Sequence, residues 1–344
     1  GDHRDLHKEY RRQRQMCIRD RGATGNDSLD GGDDTDLLIQ NADTQQVLTD
    51  SSLSGRGNDA VSGIELAHLT GGNSDNRIDA SLFSGTVTLS GGAGHDTLLA
   101  AAGDDSVDGG TGTDEIRQTA DADQVLTDTS VSGHGSDQLV SIEQAVLTGG
   151  ATANTLDARD FSGTVTLAGL AADDTLWGAA GNDSLDGGSG DDLIRQEIDA
   201  DQTLVDTLVT GDGDDTLTSV ENGWLVAGSS DNVMDADGFT LGSATLDGAG
   251  GDDTLTGSGQ DDSLAGGAGT DLLLQATDTQ QVLTDSSLSG RGNDSLSSIE
   301  LARLTGGSSD NRIDASGFSG TVTLAGGAGP VSYAHLTLPT ILLV

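Results

Sequence analysis

Across residues 91–117 one apolar residue stands at every ninth position, flanked by polar or small neighbours: Leu98, Val107 and Ile116. The same beat runs through Leu176, Leu185 and Ile194, and through Leu255, Leu264 and Leu273. One inward residue between two outward ones suits a three-residue β-strand, in which alternate side chains face opposite ways. The six residues between are rich in Gly, which lets the chain turn tightly and visit positive φ. The pattern predicts strand–turn nonamers, two to a coil of about 18 residues, with coils stacked at roughly 4.8 Å. Linking segments keep step with one lengthened stride. Leu69, Ile78, Leu89 and Leu98 are spaced 9, 11 and 9, and Leu147, Leu156, Leu167 and Leu176 repeat this.

A longer period lies over the short one. QVLTD occurs at 46–50, 124–128 and 281–285, with QTLVD at 202–206, and Phe83, Phe161, Phe239 and Phe318 keep the same offsets of 78, 78 and 79. About four copies of a 78-residue unit therefore lie in tandem, as in solenoids built from stacked repeats. The extra residue of the third copy falls in FTLGSATL, where the others read FSGTVTL, and predicts a loop. The expected fold is all-β: one continuous parallel β-roll or solenoid, with bulged turns rather than linker domains and a thin aliphatic core. About 17 coils would make a rod on the order of 80 Å long.

Composition limits what such a chain can do. Its 344 residues include 52 Gly, carry a net charge of −42 and are only 2% aromatic. So acidic and aromatic-poor a chain lacks the apolar surface for a thick core and approaches the disordered class unless a ligand intervenes. The charge argues against nucleic acid and invites cations. Seven of the 15 basic residues, the lone Lys8 and the lone Cys17 lie within residues 1–21, and both prolines lie in the last fifteen. MCIRDR (16–21) and HLTLPTILLV (335–344) resemble translated sequencing-adapter read-through. Residues 1–21, a basic arm, and 330–344, an apolar tail, are accordingly set apart from a repeat array over 22–329. That array has no Cys for a disulfide framework and no 18-residue apolar stretch for a membrane span.

The nonamers read GGAGHDTLL, AAAGDDSVD and GGTGTDEIR over 91–117, and recur over 22–39, 169–195 and 248–274. Eleven in register resemble the G-G-x-G-x-D-x-U-x repeat of the RTX (repeats-in-toxin) calcium-binding family. The resemblance implies Ca2+ held between stacked turns by the position-6 Asp side chains and turn carbonyls. Carried over, the implied ligands are Asp27, Asp36, Asp96, Asp105, Asp114, Asp174, Asp183, Asp192, Asp253, Asp262 and Asp271. The outer members of each triple are expected to be stacked partners: Asp96 with Asp114, Asp174 with Asp192, Asp253 with Asp271. Asp59, Asp137, Asp215 and Asp294, in isolated nonamers, are secondary candidates. Asn76, Asn154, Asn232 and Asn311 replace the aspartate in a third set, where an amide hydrogen-bond ladder with little or no calcium is expected.

Physical chemistry points the same way. Stacked carboxylates on one edge, about 5 Å apart, would repel by roughly 3 kcal/mol at an effective dielectric near 20. Ca2+ takes six to eight hard oxygens and removes that repulsion. Folding is therefore expected to require calcium, with affinity near 10⁻⁴–10⁻³ M as in extracellular modules. No D-x-[DN]-x-[DN]-G loop ends in the Glu of an EF-hand, and no G-x-S-x-G, H-E-x-x-H or P-loop occurs. His68, His95 and His134 read as solvated surface residues, and Trp177 and Trp224 as core or edge filler. The expected protein is not itself an enzyme but an extracellular or cell-surface calcium-binding chain, its macromolecular partners unspecified. Its role would be a structural or adhesive stalk; the alternative is the secretion-assisting module of an exported protease or lipase.

Overall fold

The computed structural model describes residues 25–334, together with the backbone of Cys17–Arg19 and Leu342–Leu343. Most of the basic arm and of the apolar tail lies outside the described residues. The chain forms two compact units, Gly1–Gly150 with Asp157–Val165, and Ala151–Leu156 with Thr166–Val344.

Within each unit the strands alternate between two sheets. In the first unit one sheet runs parallel through Leu37–Asn41, Leu66–Thr70, Thr86–Ala93, Ser106–Thr111 and Ser136–Val140. The other runs through Arg77–Leu82, Thr97–Leu99, Glu115–Thr119 and Gln144–Gly150. The second unit repeats the plan, for example through Val233–Asp235, Thr254–Thr256, Leu272–Ala276 and Leu301–Thr305. The position-8 residues Leu98, Val107, Ile116, Leu255 and Leu273 are all at most 1% exposed, and they stack in register, Ile78 on Leu98 on Ile116. The apolar beat of the sequence is thus the core of an all-β, mostly parallel solenoid.

Two features depart from uniform 18-residue coils. The Phe stride lengthens the coil to 20 residues, because each Phe folds back under a tight turn: the Phe83 N–H donates to the Ala80 carbonyl at 2.9 Å. Phe83, Phe161 and Phe239 are buried there. The extra residue of the third copy is absorbed in this loop, where the coil is 21 residues.

The second departure is larger. The QVLT strands stay parallel to the next coil, with Gln46 opposite Ile78 and Gln281 opposite Ile313, but the short strand that follows each of them reverses direction. Gln46–Thr49, Ser52–Ser54 and Asn58–Ser62 form an antiparallel meander inserted edgewise into the sheet, and so do the equivalent strands from Gln124, Gln202 and Gln281. Local chemistry makes the reversal. The Thr49 hydroxyl accepts the Ser51 and Ser52 N–H groups, closing a two-residue turn. Leu48 then pairs with Leu53 in the core. A buried amide pair fixes the insert to its neighbours: Gln40 Nε2 donates to Gln46 Oε1 and to the Ser54 carbonyl, both at 2.9 Å, and Gln46 Nε2 donates to the Thr70 carbonyl at 2.8 Å. Gln118 with Gln124 repeats the bond at 2.9 Å. Coils that span a meander are 29 or 32 residues long.

From one meander to the next the chain crosses between sheets seven times, an odd number. The two meanders of each unit therefore sit in opposite sheets: 46–62 and 124–140 in the first unit, 202–218 and 281–297 in the second.

Candidate metal centre

Strand alternation decides where the position-6 aspartates go. Positions 6 and 8 lie two apart, so an inward Leu at 8 brings the Asp at 6 inward as well. Asp96, Asp114, Asp192, Asp253 and Asp271 are at most 1% exposed. They stack along one edge, as expected, and lie inside it, where strand meets turn.

There they form ladders. In the first, each carboxylate accepts the backbone N–H of the position-6 residue one coil earlier. Asp96 Oδ1 accepts from Asn76 and Asp114 Oδ1 from Asp96, both at 2.7 Å, and Glu143 Oε2 closes the run by accepting from Asp114 at 2.9 Å. The second unit builds Asn154–Asp174–Asp192–Glu221 and Asn232–Asp253–Asp271–Glu300 in the same way, at 2.7–3.1 Å. Asp36 donates its N–H to Glu65 at 3.0 Å. The pairs Asp96/Asp114, Asp174/Asp192 and Asp253/Asp271 are thus adjacent rungs.

The middle aspartates form a second ladder, and its partners come from the meanders. Asp105 donates its N–H to Asp137, Asp183 to Asp215, Asp262 to Asp294 and Asp27 to Asp59, at 2.9–3.1 Å. The four aspartates of the isolated nonamers are therefore not isolated in space. Sequence reasoning missed Glu65, Glu143, Glu221 and Glu300 altogether. Their signal was present, since G-I-E, S-I-E and S-V-E recur at the 78-residue offset.

The ladders leave oxygen atoms over. The Oδ2 atoms of Asp96, Asp114, Asp192, Asp253 and Asp271 are buried and accept no hydrogen bond. A buried, unpartnered carboxylate oxygen is costly. Burial accordingly pushes the carboxyls of all five upward, helped by neighbouring charge such as Asp114 beside Asp96. In the second ladder burial pushes Asp137, Asp215 and Asp294 up to about 7.

The residues present fit a hard cation. A Cβ added to Gly187 would stand 2.5 Å from Asp192 Oδ2, and one added to Gly91 2.5 Å from the Gly109 carbonyl oxygen of the next coil. Only glycine keeps these gaps between carboxylate and carbonyl oxygens open. Among the described residues no three acidic, His or Cys side chains converge on one point. A bound cation must therefore be completed by turn carbonyls, which suits calcium better than metals that need nitrogen or sulfur ligands.

The Asn coils solve the same problem without leftover oxygens. Asn76 Oδ1 accepts the Gly72 N–H of its own turn at 2.7 Å, and Asn311 Oδ1 the Gly307 N–H at 2.8 Å. Instead of the amide ladder expected, the amide donates to an exposed aspartate, Asp43 or Asp278. Asp278 also accepts from the Ser309 N–H and the Ser308 and Ser309 hydroxyls, and these bonds, led by the Ser309 N–H, hold its carboxyl at about 2.

The family described as RTX calcium-binding nonapeptide repeat (4 copies) matches residues 21–39, 88–116, 166–194, 204–219 and 240–273. The chain carries RTX calcium-binding repeats. The matched segments hold every rung of both ladders from Asp96 to Asp114 and from Asp174 to Asp192, and Ca2+ is the ligand of this repeat. The match over 204–219 includes Asp215, so an RTX nonamer sits within a meander as well as in the parallel triples. No curated protein matches the chain. Among the described residues no helix is long and apolar enough to cross a membrane.

Proposed function

We propose that this RTX repeat chain is a calcium-folded structural or adhesive segment, spanning residues 22–329, of a secreted or cell-surface protein, with no catalytic site of its own. The observation that carries the reading is the row of buried Oδ2 atoms with no protein donor, repeated from coil to coil. A chain at −42 that buries ionised carboxylates gains its fold from a ligand that binds the native state alone. The proposed ligands are the position-6 aspartates of both ladders with the glycine-turn carbonyls. Such a chain would remain unfolded where calcium is scarce and fold after export. Four tandem 78-residue units favour a stalk over the secretion module of an exported enzyme, which needs only one short block.

Circular dichroism in excess chelator, followed by millimolar calcium, tests the proposal. A β spectrum that appears only with calcium is the expected result. A spectrum of equal strength in both would overturn it. Joining residues 22–329 to a reporter domain and pulling single molecules with and without calcium would separate a load-bearing stalk from a passive module.

A further inference from the structure

Beside the second ladder, whose buried Asp137 forms part of the lining, the first unit contains an open cleft of about 420 Å³, within the roughly 300–1,000 Å³ range of small-molecule sites. Its origin is a short strand. Thr97–Leu99 has three residues, while its neighbours Arg77–Leu82 and Glu115–Thr119 have six and five. After Leu99 the chain turns away, and the missing rung leaves a gap between Ser81 and Thr119.

The other copies treat the equivalent place differently. In the next copy Trp177 stands where Leu99 does and is only 5% exposed. Arg195 stacks between it and Trp224, with the guanidinium carbon 4.4 and 3.8 Å from the two ring centres. One copy further on, Arg291, which corresponds to His134, forms an ion pair with Asp237, which corresponds to Ser81. The shallower groove there, about 330 Å³, is lined by Asp235, Asp237 and Arg303.

The cleft beside Leu99 has neither plug nor bridge, and its chemistry is unusual in so acidic a chain. Arg77 and Arg117 both line it, two of only eight arginines in the repeat array. Arg77 uses one Nη on Asp79, and Arg117 uses its Nε on Glu115, so further N–H donors of both remain for a guest. Leu82, 72% exposed, lines an apolar wall with Leu99 and Val146, and Thr119 and Thr148 add hydroxyls. A guanidinium group recognises a carboxylate bidentately. An apolar wall beside hydroxyls suits the two aspects of a sugar ring.

We propose that this cleft binds a carboxylate-bearing sugar unit of the uronate class. The specificity would belong to this copy alone, because the equivalent places are filled by Trp177 or bridged by the Arg291–Asp237 ion pair.

The test is calorimetric titration of the full chain in millimolar calcium with glucuronate, glucose and propionate. Saturable binding of glucuronate, with glucose and propionate each at least ten-fold weaker, is expected. Arg117→Gln should weaken glucuronate at least ten-fold, and Leu99→Trp should abolish binding by installing the plug of the next copy. The calcium midpoint of folding should not move in either variant, which separates loss of the cleft from loss of the calcium ladders. Absence of glucuronate binding, equal binding of glucose or propionate, or glucuronate binding unchanged in Arg117→Gln would each overturn the proposal. If Leu99→Trp does not fold, Arg117→Gln decides.

Discussion

Replacing Asp137 by Asn should make the calcium-free chain fold over a wider pH range. Asp137 is 2% exposed, and its Oδ1 accepts the Asp105 N–H at 3.0 Å. Burial, with the charges of Asp105 and Asp104 adding to it, pushes its carboxyl from an ordinary value near 3.8 to about 7. A carboxyl raised in the folded state favours folding only while protonated. Its contribution is complete below the unfolded value and is lost as pH rises through about 7. The loss is at most about 4 kcal/mol at 1.36 kcal/mol per unit, and about 2 kcal/mol once solvent screening is allowed for. Asparagine keeps the carbonyl oxygen that accepts from Asp105 and never ionises. In excess chelator, β circular dichroism should be strong near pH 4 and fall as pH passes through about 7, because Asp215 and Asp294 titrate in the same way. Asp278, held at about 2, stays ionised and hydrogen-bonded throughout. In Asp137→Asn the loss should shift to higher pH, and the calcium midpoint should rise because a ligand is gone. A β signal flat from pH 4 to 9 in chelator, or a midpoint shifted downward in the variant, would refute the reasoning.

Other outcomes follow from the same geometry. Gly187→Ala places a methyl group against Asp192 Oδ2 and the Ser219 carbonyl, and should raise the calcium midpoint at least ten-fold in a calcium titration followed by circular dichroism. Asp174→Ala with Asp192→Ala should lower the calcium stoichiometry measured by calorimetry, whereas Asn311→Ala, whose amide serves its own turn, should leave it unchanged. Ser141, Ser219 and Ser298 are held at φ near 50°, where the first copy has Gly63 at 60°. Changing each to Gly should stabilise the calcium form by about 0.5–1 kcal/mol in urea unfolding. Gln118→Leu strands the Ser132 carbonyl and the Gln124 amide oxygen, and should cost about 2 kcal/mol, with the fastest hydrogen exchange over 124–140.

The fold was legible wherever one residue dictated one contact. Leu98, Val107 and Ile116 marked strands because a thin stack leaves room for a single inward apolar side chain per strand. The ladder pairs Asp96/Asp114 and Asp253/Asp271 followed from the 18-residue coil. The partners of Asp105 and Asp262 did not, because Asp137 and Asp294 reach them only after a meander has lengthened the coil to 32 residues. That meander was hidden because QVLT and SLS carry the same alternation in either strand direction. Its sense is set by a hydroxyl, Thr49 Oγ1, closing a two-residue turn. The burial of the aspartates was available from parity alone, since positions 6 and 8 share a face.

The odd number of sheet crossings between meanders has a consequence for how such a chain can grow. Duplicating a 78-residue stretch adds a further run of carboxylates to each ladder, because register depends only on the stride. It also moves everything attached to the meander to the opposite side. A groove or patch evolved beside one meander therefore cannot spread into an unbroken row by copying. Two duplications are needed before it faces the same way again, and each intervening copy is free to diverge. The cleft beside Leu99, its plugged counterpart at Trp177 and its bridged counterpart at Asp237 are what that freedom leaves behind: repeats whose interior is held uniform by the carboxylate ladders, and whose exterior is written one copy at a time.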